Sequence, residues 1–251
     1  MLTLENVTVR YGAFAAADQV SFTLEEGQWL MLIGPNGAGK STLIEAVARG
    51  VPYTGRILLE GRDIQKISAR ELARRMGVLA QRNTAGYAYT VEEVVRMGRY
   101  AYGGGFLMPR DADEQRKVDE ALEATGVADL RHAPVTRLSG GEMQRVFLAQ
   151  VFAQDPKLLL LDEPANHLDL PYQRQIFSLI GAWLQTPGRA VLSVVHDLNL
   201  ARRYGTHAVL LNQGKCAAQG AIDGVLTPEN LESVYRMDVH GWMRETLEKW
   251  R

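Results

Sequence analysis

Apolar and polar residues alternate along the first ten positions of the chain, and an alternation of period two is typical of a β-strand with one buried face. The apolar positions of this segment are Leu2, Leu4, Val7 and Val9. Similar apolar segments follow at 20–24, 29–33, 56–59 and 76–80, with a charged helical segment at 68–75. The first third of the chain is therefore predicted to contribute to a mixed sheet.

Helical spacing replaces the strand pattern between about residues 83 and 154. The helices predicted there are 91–99, 113–125 and 142–152. Strand signals return at 158–161, 190–195 and 208–211, with a predicted helix at 173–184. An alternation of strands and helices is typical of a parallel α/β sheet, so we expect the sheet to resume after a helical insertion.

We expect one domain, because the sequence contains no internal repeat, low-complexity tract or linker run. Residues 1–82 and 155–251 are predicted to form an α/β core, and residues 83–154 a helical subdomain inserted into it. The predicted fold class is α/β, with a mixed sheet as the core, an antiparallel β part at the N-terminus and the inserted helices.

Composition and charge narrow the classes of function. The 251 residues are 46% hydrophobic, which suffices for a substantial core. The net charge of -1 gives no general attraction to nucleic acid, so no nucleic-acid partner is expected. The single cysteine, Cys216, excludes a disulfide within this chain. No apolar stretch approaches the roughly 18 residues that cross a bilayer, so we expect a cytoplasmic protein that needs a partner for membrane attachment.

A glycine-rich segment with a lysine and a serine follows the predicted strand 29–33. It reads Gly34, Pro35, Asn36, Gly37, Ala38, Gly39, Lys40 and Ser41, and Thr42 opens a helical pattern. This is the spacing of a phosphate-binding loop, in which glycines let backbone N–H groups face phosphate oxygens at a helix start. Lys40 would add a charge for the β- and γ-phosphates, and the Ser41 hydroxyl would ligate Mg²⁺. The segment therefore predicts a nucleoside triphosphate and Mg²⁺, with a chance glycine-rich turn as the alternative.

Two adjacent carboxylates, Asp162 and Glu163, follow the apolar segment 158–161. A continuous apolar segment is typical of a buried parallel strand, and ligands bind at the carboxyl ends of such strands. Asp162 is predicted to support Mg²⁺ and its waters, and Glu163 to orient or deprotonate the attacking water. A pair of solvated acids is the alternative, and the phosphate-binding loop upstream argues against it.

A short segment ahead of Asp162 resembles the signature motif of the ABC ATPase family. It consists of Leu138, Ser139, Gly140, Gly141 and Glu142. The order of the motifs is also similar to that family, over about residues 2–239, and the resemblance implies ATP as the nucleotide and a P-loop NTPase fold. At a helix start the segment would form a second anion-binding end, although by itself it could equally be an ordinary N-cap. Glu142 stands where the family most often has Gln, and we expect this to be tolerated, because Ser139 and the glycine backbone should supply the phosphate contacts.

Further positions resemble functional positions of the family. Gln81 is similar to the glutamine that contacts Mg²⁺ and links the nucleotide to the membrane partner, and His196 to the histidine that contacts the γ-phosphate. Segment 166–169, which ends at Asp169, is similar to the D-loop, and Tyr11 to the aromatic residue that stacks on adenine. A polar loop residue, a structural histidine and a packed aromatic residue are the alternatives. The implied catalytic residues are Glu163, His196 and Gln81, and the implied Mg²⁺ residues are Ser41, Gln81 and Asp162.

The chain carries one phosphate-binding loop and one signature segment, and the family encloses each ATP between the loop of one subunit and the signature of another. The resemblance therefore implies a head-to-tail homodimer with two ATP sites. It also implies two transmembrane permease subunits, which would hold the ATPase at the cytoplasmic face of the membrane, and indirectly an extracytoplasmic substrate-binding protein.

Segments 89–100 and 226–239 resemble the importer branch that handles iron–siderophore, haem and cobalamin-type metal chelates. Physically, the first is an amphipathic helix, and the second a helix started by Pro228 with Thr227 as N-cap. The resemblance implies an ATP-hydrolysing importer subunit, with residues 91–100 as the dock for a coupling helix of the permease. The alternatives are another importer branch, a non-transport ABC ATPase and a P-loop kinase, which would not need residues 139–142 or His196.

Overall fold

The computed structural model describes residues 1–80, 89–102, 112–166 and 168–249. The chain divides into two compact units. The first unit combines Met1–Ile64 with Leu192–Arg251, and the second is Gln65–Val191.

Both units contain strands and helices. The strands are β1 Leu2–Tyr11, β2 Phe14–Leu24, β3 Trp29–Ile33, β4 Thr54–Leu59, β5 Arg62–Asp63, β6 Met76–Leu79, β7 Leu158–Asp162, β8 Ala190–Val194, β9 His207–Asn212 and β10 Lys215–Ala221. The helices are α1 Lys40–Val47, α2 Ala69–Arg75, α3 Val91–Met97, α4 Ala112–Ala124, α5 Gly140–Ala153, α6 Leu170–Leu184, α7 Leu198–Tyr204, α8 Ile222–Val225, α9 Pro228–Tyr235 and α10 Val239–Glu248. Short 3₁₀ helices lie at Ile64–Lys66, Ala128–Leu130 and Val135–Arg137.

The first unit contains an antiparallel sheet with the strand order β2-β1-β4-β5. Its hairpin of β1 and β2 sets Leu2 opposite Leu24 and Tyr11 opposite Phe14. The apolar residues of β1 that the alternation identified are buried, while its last two residues are exposed. One face of this sheet therefore packs into the core of the unit, as a period of two requires.

A second, mixed sheet of the first unit surrounds β3. The strand order here is β10-β9-β3-β8, with β3 parallel to β9 and β9 antiparallel to β10. β8 contributes its residues from Leu192 onward to this unit. All five residues of β3 are buried, and Trp29 Nε1 donates a hydrogen bond to Ser193 Oγ at 2.7 Å. A strand buried on both faces needs a continuous apolar sequence, which segment 29–33 supplies.

The second unit combines parallel strands with packed helices. β6 and β7 are parallel, with Met76 opposite Leu158. α3, α4 and α5 pack against one another. α3 and α5 approach so closely that a Cβ at Gly98 would lie 2.1 Å from the Gln150 carbonyl oxygen, so this contact requires glycine.

The predicted α/β class, the antiparallel N-terminal part and the helical insertion are confirmed. The predicted strand 20–24 is longer than expected, because β2 begins at Phe14 and pairs with the whole of β1. The sequence patterns did not predict β5, β10, α7 or α8. β10 is mostly exposed and carries small or polar residues, so it pairs with β9 through its backbone and has little apolar signal. The boundaries at residues 83 and 154 stay a prediction.

Candidate functional site

The first unit holds the glycine-rich loop at the carboxyl end of β3. α1 begins at Lys40, and Gly39 is its N-cap in the left-handed conformation, with φ 95°. Gly34 and Gly37 also have positive φ, at 146° and 78°. These three residues bend the loop in front of the helix start, where backbone N–H groups lack helical partners. The geometry is that of an anion-binding loop.

Two of these glycines also leave no room for a side chain. A Cβ at Gly34 would lie 2.2 Å from the Leu211 carbonyl oxygen, and a Cβ at Gly39 would lie 2.1 Å from the Ala16 carbonyl oxygen. A Cβ at Gly37 would meet no atom within 4 Å. Gly34 and Gly39 are therefore needed for conformation and packing, and Gly37 for conformation alone.

The Lys40 side chain folds back over the loop and is 5% exposed. Its Nζ donates to the carbonyl oxygens of Gly34 at 2.7 Å and of Pro35 at 2.8 Å. A buried ammonium group needs such partners, since burial without them is costly. The positive charge thus lies against the loop that would enclose a phosphate. Ser41 and Thr42 follow, half-buried, in the first turn of α1.

His196 follows the carboxyl end of β8, a strand that is hydrogen-bonded to β3. The preceding residue, Val195, donates its backbone N–H to the Leu32 carbonyl oxygen at 3.4 Å. His196 is exposed, and Asp197 caps α7 by accepting the Asn199 N–H at 2.7 Å. His196 therefore lies at the same end of the sheet as the start of the glycine-rich loop, because β8 and β3 are neighbouring strands.

Tyr11 lies at the tip of the β1–β2 hairpin and is 51% exposed. Phe14, its partner across the hairpin, is 63% exposed. Two residues further along β2, the Ala16 carbonyl oxygen is the atom that Gly39 approaches. The hairpin thus packs against the loop and leaves exposed aromatic rings near it, which suits stacking on a base.

The second unit holds Asp162 and Glu163 where β7 ends. Asp162 is buried, whereas Glu163 is half-buried and adopts φ 54°. A left-handed conformation is uncommon for a non-glycine residue and costs free energy, so the surrounding turn must hold it. Asn166 donates to the Glu163 carboxylate through its side chain and to the Glu163 carbonyl oxygen through its N–H, the latter at 3.1 Å. The tight turn after β7 therefore fixes the orientation of the Glu163 carboxylate.

The signature segment forms the N-terminus of α5, with Ser139 as N-cap. Ser139 Oγ accepts the Glu142 N–H at 3.3 Å, and Glu142 Oε2 accepts the Ser139 N–H at 2.8 Å, which makes a capping box. The backbone and then the hydroxyl hydrogen bond from Ser139 lower the pKa of Glu142 below its ordinary value. Glu142, the departure from the usual family residue, is thus held as a carboxylate by the serine beside it.

Two contacts join the start of α5 to the segment that follows Glu163. Gln144 Nε2 donates to the Pro164 carbonyl oxygen at 2.6 Å. The Tyr172 ring lies over Gly141, where an added Cβ would be 2.9 Å from Cδ1 and 3.0 Å from Cγ. Asp169 is the N-cap of α6, three residues before Tyr172, and its side chain makes no cap hydrogen bond.

The structure thus groups the predicted residues by unit. The first unit brings together Tyr11, residues 34–42 and His196; the second brings together Ser139, Gly140, Gly141, Glu142, Asp162, Glu163 and Asp169. Gln81 lies outside the described residues, as does His167 of the D-loop segment. Sequence reasoning missed the roles of Gln144, of Asn166 toward Glu163 and of Tyr172. Only the position of Asn166, three residues after Glu163, offered a signal for a local turn.

Comparison with known proteins leads to the same family as the motifs. The sequence profile of the ABC transporter family matches residues 17–166. The chain is 39% identical over 232 residues to the ferric enterobactin transport ATP-binding protein FepC of Escherichia coli (strain K12), covering 92% of this chain and 85% of FepC. It is 37% identical over 246 residues to the uncharacterized ABC transporter ATP-binding protein YvrA of Bacillus subtilis (strain 168), covering 98% of this chain. This chain spans only 56% of the length of YvrA.

Solved structures of ABC transporter cassettes share the fold. A metal-chelate type ABC transporter in an inward-facing conformation aligns with a TM-score of 0.82 at 29% identity, over 94% of this chain and 89% of that one. A dimeric bacterial ABC transporter cassette aligns with a TM-score of 0.78 at 25% identity, over 88% of this chain and 99% of that one. Since the family profile covers more than half of its residues, this chain belongs to the ABC transporter family.

Proposed function

We propose that this chain binds and hydrolyses ATP as the ATPase subunit of an ABC importer for metal chelates. The observation that carries the proposal is the glycine-rich loop, which follows a fully buried strand, opens a helix and holds the Lys40 ammonium against its own backbone. The substrate class draws support from FepC, which is named for ferric enterobactin transport, and from the metal-chelate type transporter that shares the fold.

ATP would be bound by its phosphates in the loop and by its base at the hairpin tip. The backbone N–H groups of Gly34 and residues 36–42 would surround the phosphate oxygens, and the N-terminus of α1 adds its positive end. Lys40 turns from the loop carbonyls to the β- and γ-phosphates. Tyr11 supplies an exposed ring on which adenine stacks.

Mg²⁺ fits the donors that this chain offers, because the Ser41 hydroxyl and the Asp162 carboxylate are hard oxygen ligands. Mg²⁺ commonly binds through one or two carboxylates together with substrate phosphates, so a small set of protein ligands suffices. Among the described residues no group of three or more His, Cys, Asp or Glu side chains could hold a metal ion by itself. When bound, Mg²⁺ would neutralise charge on the phosphates. Gln81 is proposed as a further ligand.

Glu163 is the proposed general base. Its carboxylate orients or deprotonates the water that attacks the γ-phosphate, and Asn166 holds that carboxylate in place. His196 contacts the γ-phosphate from the end of β8. These roles divide the reaction between a water-activating group and a group that contacts the transferred phosphoryl.

The working unit is proposed to be a head-to-tail homodimer. The chain has one phosphate loop and one signature segment, and each ATP would lie between the loop of one subunit and the partner's signature residues. Those signature residues are Ser139, Gly140, Gly141 and Glu142, with Asp169 nearby in the D-loop. ATP then joins the subunits and hydrolysis releases them, which turns phosphate chemistry into a rigid-body motion. A dimeric cassette among the related structures supports this assembly.

The membrane steps are assigned to partners. No helix in the described part of the chain is long and apolar enough to cross a membrane. We infer that two permease subunits hold the ATPase at the cytoplasmic face, with a coupling helix docked near residues 91–100. An extracytoplasmic binding protein would deliver the chelate to that permease.

The change Glu163→Gln tests the assignment of the base. An amide cannot accept the proton of the attacking water, so phosphate release without an added phosphoryl acceptor should fall at least about a hundredfold. ATP binding should persist, and an ATP-dependent dimer should accumulate in size-exclusion chromatography.

Glu60→Gln is the matched control, because Glu60 has a similar backbone conformation, with φ 50°, in the turn between β4 and β5. Its hydrolysis rate should equal that of the wild type. A Glu163→Gln variant that hydrolyses ATP at the wild-type rate would show that Glu163 is not the base.

A further inference from the structure

The two glycines of the signature segment have different surroundings. Gly140 is exposed, and a Cβ there would meet no atom within 4 Å. Gly141 is buried, and a Cβ there would lie 2.9, 3.0 and 3.2 Å from three carbons of the Tyr172 ring. Real Cβ atoms do not approach ring carbons to 2.9 Å without displacing them. The ring therefore rests directly on the backbone of the first turn of α5.

Tyr172 is carried by the segment that follows the D-loop. It is the third residue of α6, and Asp169 is the N-cap of that helix. The side chain is 38% exposed, so only part of the ring is covered and this part faces Gly141. An aromatic ring packed against a glycine backbone is a rigid, close contact, because the ring has few rotatable bonds. A shift of the start of α6 would therefore displace the backbone of the signature segment at Gly141.

The hydrogen bond from Gln144 to the Pro164 carbonyl oxygen supports the same helix end from a second direction. Pro164 directly follows Glu163, whose turn is closed by Asn166. The first turns of α5 are thus fixed by one contact to the turn that carries the base and by another to the start of α6. Both contacts lie within the second unit.

We propose that Tyr172 is a positioning residue for the signature motif, and that its ring holds Gly141 and the start of α5 in the orientation that receives ATP from the partner subunit. This rests on the proposed function as a head-to-tail dimer. In such a dimer, Glu163 serves the ATP held by its own subunit, while the signature serves the ATP held by the other. Tyr172 and Gln144 then connect the two ATP sites through the body of one subunit.

The test uses the full chain with the Glu163→Gln change, so that ATP binds without turnover. The concentration of ATP that gives half-maximal dimer is measured by analytical ultracentrifugation for this parent and for added changes at positions 172 and 141. Tyr172→Phe keeps the ring and should match the parent. Tyr172→Ala removes the ring and should need about tenfold more ATP, which corresponds to the loss of one aromatic packing contact.

A second readout separates positioning from general damage. Binding of a fluorescent ATP analogue to the dilute monomer depends on the glycine-rich loop in the first unit, so Tyr172→Ala should bind it with the parent's affinity. Trp242→Ala is the control for loss of an exposed aromatic residue, since Trp242 is 56% exposed in α10. It should change neither dimer formation nor monomer binding.

A double-mutant cycle tests the contact itself. Gly141→Ala should weaken dimer formation, because the new methyl group displaces the ring. Gly141→Ala combined with Tyr172→Ala should be at least about threefold less impaired than the product of the two single effects, because the methyl group then has space.

Four outcomes contradict the proposals, and they separate the positioning role from the dimer. A Tyr172→Ala variant that dimerises at the parent's ATP concentration, or a double variant whose loss is the simple product of the single losses, rejects the positioning role. Loss of monomer ATP binding in Tyr172→Ala rejects it as well, because the defect is then general. A Glu163→Gln parent that stays monomeric with ATP rejects the proposed dimer instead.

Discussion

At the scale of single residues, the glycines of the glycine-rich loop differ in what they contribute. Gly37 and Gly39 both require positive φ, at 78° and 95°. Only Gly39 also faces a neighbouring backbone atom, the Ala16 carbonyl oxygen, at a distance that excludes a Cβ. One motif therefore contains positions with unequal costs of substitution.

We predict that Gly39→Ala destabilises the nucleotide-free chain far more than Gly37→Ala. A left-handed alanine costs about 1–2 kcal/mol at either position. Overlap with the Ala16 carbonyl should add about 1–3 kcal/mol at Gly39 alone. Urea titrations of the two variants and the wild type give the free energy of unfolding of each. Equal losses in the two variants would mean that the hairpin moves away to make room for the added methyl group.

At the scale of secondary-structure elements, α3 and α5 begin with the same device. Thr90 and Glu93 form a capping box on α3, as Ser139 and Glu142 do on α5. Hydrogen bonds from the backbone and then the hydroxyl of Thr90 lower the pKa of Glu93 below its ordinary value. A carboxylate with a lowered pKa contributes stability above its unfolded pKa, and this contribution is lost as the pH falls through the folded value.

We predict that Thr90→Ala destabilises the chain by about 1 kcal/mol at pH 7, because the cap is lost, and by less near pH 3, where a larger fraction of Glu93 is protonated than at pH 7. Urea unfolding at both pH values gives the two differences. Thr90→Ser keeps the hydroxyl and should stay close to the wild type at each pH. A cost for Thr90→Ala that does not change between the two pH values would contradict the contribution of the carboxylate.

Elements with continuous apolar sequences were the easiest to predict. β3, β7 and β8 are buried along their whole length, and a strand that is buried on both faces needs an almost continuous apolar sequence. Such sequences are visible at 29–33, 158–161 and 190–195. β10 and the short α7 were missed, because partner strands and neighbouring helices stabilise them more than their own residue pattern does.

The candidate site likewise contains features that the sequence predicts and features that it does not. The positions of residues 34–42, Asp162 and Glu163 at the carboxyl ends of buried strands could be predicted, because each set ends or follows a continuous apolar segment. Their chemical roles stay predictions. The contacts of Tyr172 with Gly141 and of Gln144 with Pro164 join residues 31 and 20 positions apart. A single sequence contains no record of such pairs, so only the structure reveals them.

At the scale of the whole molecule, ATP binding and folding are linked. A ligand that binds only the folded chain raises the free energy of unfolding, by about 2.7 kcal/mol at a ligand concentration one hundred times the dissociation constant. Lys40 is buried against the loop in the first unit, and its charge is proposed to meet the phosphates. The stabilisation by ATP should therefore decrease when this side chain is removed.

We predict that ATP raises the free energy of unfolding of the Glu163→Gln chain by about 2.7 kcal/mol, at an ATP concentration one hundred times the dissociation constant of that chain. At the same ATP concentration, the chain that also carries Lys40→Ala should be stabilised by less than about 1 kcal/mol. Urea unfolding with and without ATP and Mg²⁺ measures both. Lys66→Ala, which removes an exposed lysine, should retain the full effect. Full stabilisation of the Lys40→Ala chain would place the phosphates away from Lys40.

The packing of Tyr172 on Gly141 also constrains how this sequence can change over evolution. A larger residue at position 141 becomes acceptable only once the ring at position 172 has been replaced by something smaller, whereas position 140 has no such condition. Positions 141 and 172 are therefore expected to change together. Among relatives of this chain, a non-glycine residue at 141 should therefore coincide with a small residue at 172, and each such pair would mark a lineage that rebuilt this contact.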